Sequence, residues 1–216
     1  MESYLFFSVR GAGIVGLLVT SIFILDSAYS EEKGLWIFDA EQVGAIAKGF
    51  TAERGEWKVS AEATAPSPPN VFAQQASNSA STFNLALITE TSYKNVDLSV
   101  KMKAVAGKED QGGGLVWRAK DKDNYYVARY NPLEDNYRLY KVVKGKRSQL
   151  KSADIKHTDG WHTLRVVMKG NLIQCYYDGQ KYLETTDGTF AEPGKIGLWT
   201  KADARTQFDD LTASSP

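Results

Sequence analysis

The sequence predicts an all-β chain: a two-sheet antiparallel β-sandwich or jelly roll. Three observations carry this. Helical periodicity is almost absent over 216 residues. Several short runs alternate apolar and polar residues with a period of two. Gly, Asp and Pro turn signals separate those runs at close intervals. Barrels and propellers fit less well, and a propeller is disfavoured because no blade repeat occurs.

The elements are justified in chain order. Residues 35–39 (LWIFD) form a short strand candidate, and residues 40–48 (AEQVGAIAK), interrupted by Gly44, allow a helical turn or two at most. Strand candidates follow at residues 56–60, 71–75 and 83–89, separated by loops at residues 65–70 and 77–81. Residues 96–104 (VDLSVKMKA) are the clearest strand: Val96, Leu98, Val100 and Met102 alternate with Asp97, Ser99, Lys101 and Lys103. One wet face means an antiparallel sheet. Gly112, Gly113 and Gly114 precede a strand rather than a helix, so they read as a backbone bend and not an anion cradle. Strands at residues 115–120, 124–131 and 136–143 come next, and the basic run 141–147 reads as a solvated hairpin tip. Residues 163–169, 172–177 and 181–185 form a meander. Its second turn, Asp178-Gly179, suits type I′ geometry, which needs positive φ at both central residues. Residues 195–200 and 207–212 close the chain.

Lys+Arg and Asp+Glu both count 26. A balanced chain has no global field for a polyanion, so no nucleic-acid partner is expected. Residues 11–25 are uncharged and apolar, and small residues precede a cut after Ser30. This is the layout of a signal peptide, so residues 1–30 are expected to be removed, leaving residues 31–216 as a single exported domain with no membrane association, periplasmic or secreted. An uncleaved anchor is the alternative, because Leu5, Phe6 and Phe7 extend the apolar stretch. The single cysteine, Cys175, forms no internal disulfide and reads as a small buried hydrophobe.

Four segments, Gly160-Trp161-His162-Thr163-Leu164-Arg165-Val166, Tyr177-Asp178-Gly179, Gly194 through Thr200 (GKIGLWT) and Phe208-Asp209-Asp210-Leu211, resemble the C-terminal half of concanavalin A-like (laminin-G-like) jelly rolls. With Gly112 through Arg118 (GGGLVWR), the chain more closely resembles exported bacterial domains of the 3-keto-disaccharide hydrolase-like, or family-16 glycoside-hydrolase-like, group. The resemblance implies a concave sheet face that meets sugars in many relatives, and sugar hydrolysis in some. It also implies a structural Ca²⁺ between the chain ends, with Asp209 or Asp210 as the carboxylate and residues 36–39 as partner.

Hydrolysis needs paired carboxylates. The Glu-x-Asp-x-x-Glu pattern of family 16 does not occur in this sequence, and adjacent acidic residues on a strand face opposite sides. Glu134, Asp135 and Glu184 are the remaining candidates for a general acid or base. His157 and His162 flank a turn and read as a polar loop histidine and a satisfied strand-start histidine.

Parity organises the rest. If core faces keep arginines out, Arg118, Arg129 and Arg138 reach one surface from three neighbouring strands, joined by Asn131, Asn136 and Tyr140 and bordered by Trp199 and Lys201. Aromatic rings beside Asn and Arg donors suit sugar recognition. The other reading pairs those arginines with Glu134 and Asp135. Three functions stay open: carbohydrate recognition, hydrolysis or lysis of a (3-keto-)disaccharide or related sugar, and laminin-G-type adhesion.

Overall fold

Hydrophobic alternation resolves into two stacked antiparallel sheets. The computed structural model describes residues 33–216, so the expected signal segment lies outside the described residues. The strands are β1 (Gly34–Trp36), β2 (Phe50–Arg54), β3 (Trp57–Ala61), β4 (Asn70–Gln74) and β5 (Phe83–Ile88). There follow β6 (Val96–Ala106), β7 (Gly113–Asp121), β8 (Asn124–Asn131), β9 (Asn136–Val143) and β10 (Lys146–Asp154). The last are β11 (His162–Lys169), β12 (Leu172–Tyr177), β13 (Gln180–Thr186), β14 (Lys195–Lys201) and β15 (Arg205–Ser214). An eight-stranded sheet runs β13-β12-β11-β6-β15-β4-β3, with β1 also paired to β15, and a seven-stranded sheet runs β10-β9-β8-β7-β14-β5-β2. The fold is a β-sandwich jelly roll, as expected.

The eight-stranded sheet keeps one wet face. In β6, Val96, Leu98, Val100 and Met102 are buried while Asp97, Ser99, Lys101 and Lys103 are partly exposed. The β11-β12-β13 meander does the same, and Asp178 and Gly179 take the positive φ of the expected turn, 46° and 83°. The inner strands of the seven-stranded sheet, β5, β7, β8, β9 and β14, are buried on both faces. The sheet's inner side chains, among them Trp117, Tyr126, Ala128, Tyr130, Tyr137 and Leu139, join the core between the sheets. Its outer side chains build a second cluster from Leu85, Leu87, Val116, Ala119, Tyr125, Val127, Tyr140, Val142 and Trp199. Two-sided burial explains why β8 (NYYVARYN) shows no clean alternation.

Three expectations need correction. Residues 40–48 form turns rather than a helical segment, with Glu41 N–H bonded to Phe38 O and Ala45 N–H to Gln42 O. The run 141–147 is the β9–β10 hairpin, exposed at its tip, Lys144, Gly145 and Lys146, as expected, but its ends are engaged: Lys141 pairs with Asp187 at 2.7 Å, and Arg147 lies in β10 opposite Val142. Third, Arg118 leaves the arginine face. It sits at a β-bulge with φ 46°, so Val116 and Ala119 both face the outer cluster and Arg118 turns away between them. Its guanidinium, 1 % exposed, instead donates to three carbonyls, Lys94 O at 2.8 Å, Phe190 O at 2.6 Å and Gly170 O at 2.6 Å. Burial lowers its pKa. The strands β2 and β10 were not foreseen.

Candidate functional site

Strand register assembles the site. Gly114, Arg129 and Arg138 lie side by side across β7, β8 and β9, followed by Val116, Val127 and Tyr140. Trp199 of β14 lies beside Gly114, and Asn131 is opposite Asn136. Seven of the eight residues expected on this face are there: Arg129, Asn131, Asn136, Arg138, Tyr140, Trp199 and Lys201. Gly114 permits the close packing, since a Cβ there would come within 1.9 Å of Ala128 O.

The β8–β9 turn aims the charges. Asn131 Oδ1 accepts the N–H of Leu133 at 2.9 Å and of Glu134 at 3.3 Å, which folds the turn back over the sheet. Glu134 Oε2 then accepts from Arg129 Nη2 at 2.9 Å, Arg138 Nη1 at 2.9 Å and Asn136 Nδ2 at 3.1 Å. Partial burial pushes the Glu134 carboxyl up, but the bonds from Arg129 and Asn136 and the charges of Arg129 and Arg138 outweigh it and hold the group at about 2. Beside this network Asn131 Nδ2 donates to Asp110 at 2.8 Å, and Lys201 Nζ pairs with Asp110 at 3.0 Å.

Aromatic rings line the other end. Trp199 Nε1 donates to Tyr125 Oη at 3.2 Å, and Phe83 packs on Trp199 with ring centres 5.5 Å apart. The Arg147 guanidinium lies 4.3 Å from the Tyr140 ring centre, 5.3 Å from that of Phe83 and 5.7 Å from that of Trp199. Trp199 and Tyr140 are buried, so their rings support Arg147, while Phe83 and Arg147 stay partly exposed. Arg147 Nη1 and Arg129 Nε are buried without a hydrogen-bond partner among the described residues. Burial lowers the Arg147 pKa, with the charges of Arg129, Asp110 and Glu134 also acting on it.

Comparison with known proteins places the chain in a family. The model of the 3-keto-alpha-glucoside-1,2-lyase-like domain matches residues 37–213. The chain belongs to that family. No curated protein matches the sequence. Among solved structures, the carbohydrate binding module CBM66 from Bacillus subtilis superposes with a TM-score of 0.66 at 20 % identity, over 77 % of this chain and 96 % of that one. A Bacillus subtilis protein of unknown function with a galectin-like fold gives 0.58 at 12 % identity, over 78 % and 90 %. A GH43 protein from Bacillus licheniformis gives 0.52 at 14 % identity, over 81 % and 40 %. At these identities the likeness is one of fold.

Within this 3-keto-alpha-glucoside-1,2-lyase-like domain, the other expected site residues fall elsewhere. Asp135, at φ 48°, turns its carboxylate to the His157 N–H at 2.8 Å and its carbonyl to the Ile155 N–H, and so anchors the segment after β10. Glu184 is on β13 of the opposite sheet, exposed, bonded to Lys181 and to Gln174. It cannot act with Glu134. His162 Nδ1 meets Asp178 at 2.8 Å and its ring stacks on Tyr177, while His157 pairs with Asp159.

Of the two chain-end carboxylates, Asp210 accepts the Ser67 hydroxyl at 2.8 Å and is partly exposed, whereas Asp209 does not fit a calcium ion as it stands. Asp209 is fully buried and accepts the N–H groups of Ser67 and Asp210, both at 2.9 Å, and the Ser67 hydroxyl. Donors fill the positions a cation would need, and burial raises the Asp209 pKa. No group of three or more His, Cys, Asp or Glu side chains able to hold a metal occurs among the described residues. Sequence reasoning missed Phe83, Asp110, Tyr125 and Arg147. For Arg147 a signal existed: the parity of Arg138, Tyr140 and Val142, carried across the Lys144-Gly145 turn, reaches Arg147.

Proposed function

We propose that this domain recognises a carbohydrate on the outer face of its seven-stranded sheet. The observation that carries the reading is Arg147, partly exposed, held over Tyr140 and beside Phe83 and Trp199 with no acid paired to it, next to guanidiniums that Glu134 fixes in place. Fixed donors beside an accessible ring edge match the needs of a pyranose, whose hydroxyls take hydrogen bonds while its C–H face packs on an aromatic. Arg147 and Arg138 supply donors, Glu134 an acceptor, and Phe83 the stacking surface. The superposition on a carbohydrate binding module and the family match support a sugar ligand. Export through the N-terminal apolar segment is part of the proposal, since such a domain would meet polysaccharide outside the cell.

The family match favours a second reading, elimination from a 3-keto sugar. Glu134 is the base on this face. Its depressed pKa makes it a weak one, because a base works best when its pKa lies near the working pH. Recognition therefore ranks first. The test is calorimetric titration of the protein against neutral, acidic and 3-keto oligosaccharides, with mass spectrometry for product. Heat without product supports recognition, product supports the lyase, and neither across the panel removes both.

A further inference from the structure

The face carries more positive charge than its own carboxylates neutralise. Arg129, Arg138, Arg147 and Lys201 stand against Glu134 and Asp110, and those carboxylates already serve Arg129, Arg138 and Lys201. Asp154, opposite Asn136 at the edge of the face, also acts on Arg138, so four cations meet three carboxylates and one positive charge is left over in a chain whose formal net charge is zero. The surplus falls where buried guanidinium N–H groups lack partners. Arg129 is 1 % exposed with Nε unpaired, and Arg147 Nη1 is unpaired 4.3 Å from the Tyr140 ring. Keeping charge in the interior without an acid beside it is unfavourable, and an anion on the exposed edge of the Arg147 guanidinium offsets it.

We propose that the ligand is an acidic sugar, a hexuronate-bearing oligosaccharide whose carboxylate pairs with Arg147 and whose ring packs on Phe83. The inference rests on the carbohydrate reading above and narrows it. A planar carboxylate matches the fork of a guanidinium, which offers two parallel N–H donors. Arg147 suits this role because its guanidinium is held by ring faces rather than by an acid: Nη1 is buried, and the Nε–Nη2 edge remains for a carboxylate. Glu134 adds selectivity: its ionised carboxylate repels an anion placed at the Arg129–Arg138 end and directs it toward Arg147.

Oligogalacturonate and a glucuronate-bearing xylo-oligosaccharide are titrated against the purified protein beside their methyl esters, which keep the shape and remove the charge. The expected result is at least about tenfold tighter binding of one acid than of its ester, a preference that shrinks as salt is raised. Arg147→Gln abolishes the preference, and Arg147→Lys, which keeps the charge but not the fork, retains only part of it. Thermal unfolding of both variants, measured beside the titrations, separates loss of binding from loss of fold. Equal binding of acid and ester overturns the acidic-sugar inference and leaves carbohydrate recognition standing. So does binding confined to neutral sugars. An acid preference that survives Arg147→Gln places the anion elsewhere and overturns the assignment of Arg147. No binding of any sugar overturns the underlying reading as well.

Discussion

Replacing Glu134 by Gln removes one charge and keeps the shape of the β8–β9 turn. The Gln carbonyl can still accept a hydrogen bond, so what is lost is the ionic component shared by Arg129 and Arg138. A carboxyl lowered from 4.5 to about 2 corresponds to at most about 3 kcal/mol. The Glu134 side chain is 42 % exposed, and solvent screening brings that to about 1–2 kcal/mol. The burial of Arg129 keeps it from vanishing, because a guanidinium 1 % exposed has no water to replace the lost carboxylate. A group whose folded pKa is depressed contributes stability that is complete above its unfolded pKa and disappears as pH falls through the folded value. The difference between parent and Glu134→Gln should therefore be about 1–2 kcal/mol at pH 7, begin to shrink below about pH 5, and close near pH 2. Urea unfolding at a series of pH values measures it, and subtracting the two proteins cancels the other acids, including Glu62 at about 2. A difference that does not change with pH would refute the ionic account of this turn.

Three further outcomes are expected. Arg118→Met leaves three carbonyls in the interior without their donors and should cost about 3 kcal/mol or more in thermal or urea unfolding, whereas a surface arginine would cost almost nothing. Cys175 is fully buried, and burial pushes its thiol pKa well up, so a thiol reagent should leave the native protein unlabelled and react promptly once denaturant unfolds it. Glu184→Gln removes only exposed pairs on the opposite sheet and should leave both sugar binding and the unfolding midpoint unchanged, read by the same titration and unfolding curves.

The legible part of the site lies where strands run without interruption. From Asn124 to Val143 the hairpin register is regular, so a two-residue period correctly set Arg129, Asn131, Asn136, Arg138 and Tyr140 on one face. It failed at Arg118, where one extra residue in β7 opposite β14 shifts the alternation. A bulge there has no distinctive residue: Arg at positive φ is uncommon, and the three carbonyls that hold it come from loops far away in sequence. Arg147 was lost for a different reason. The edge strand β10 is mostly polar, sends only Leu150 and Ala153 to the core, and a register shift at Gln149–Lys151 breaks its alternation, so it looks like a turn. Likewise β2 buries only Phe50 well and offers no period to read. The choice between paired and ligand-facing arginines could not be made from spacing, because it depends on where the Glu134 carboxylate points. It points to both Arg129 and Arg138, and this leaves Arg147, unforeseen, as the arginine with donors to spare.

The most direct test of the central claim is chemical-shift mapping. Amide signals of isotope-labelled protein are followed while the tightest oligosaccharide of the panel is added. The account predicts perturbations concentrated at Phe83, Arg129, Arg138, Tyr140, Arg147 and Lys201, with the signals of Arg165, Gln174 and Glu184 on the opposite sheet unmoved. Perturbations clustered on β11–β13, with the seven-stranded face silent, would contradict it.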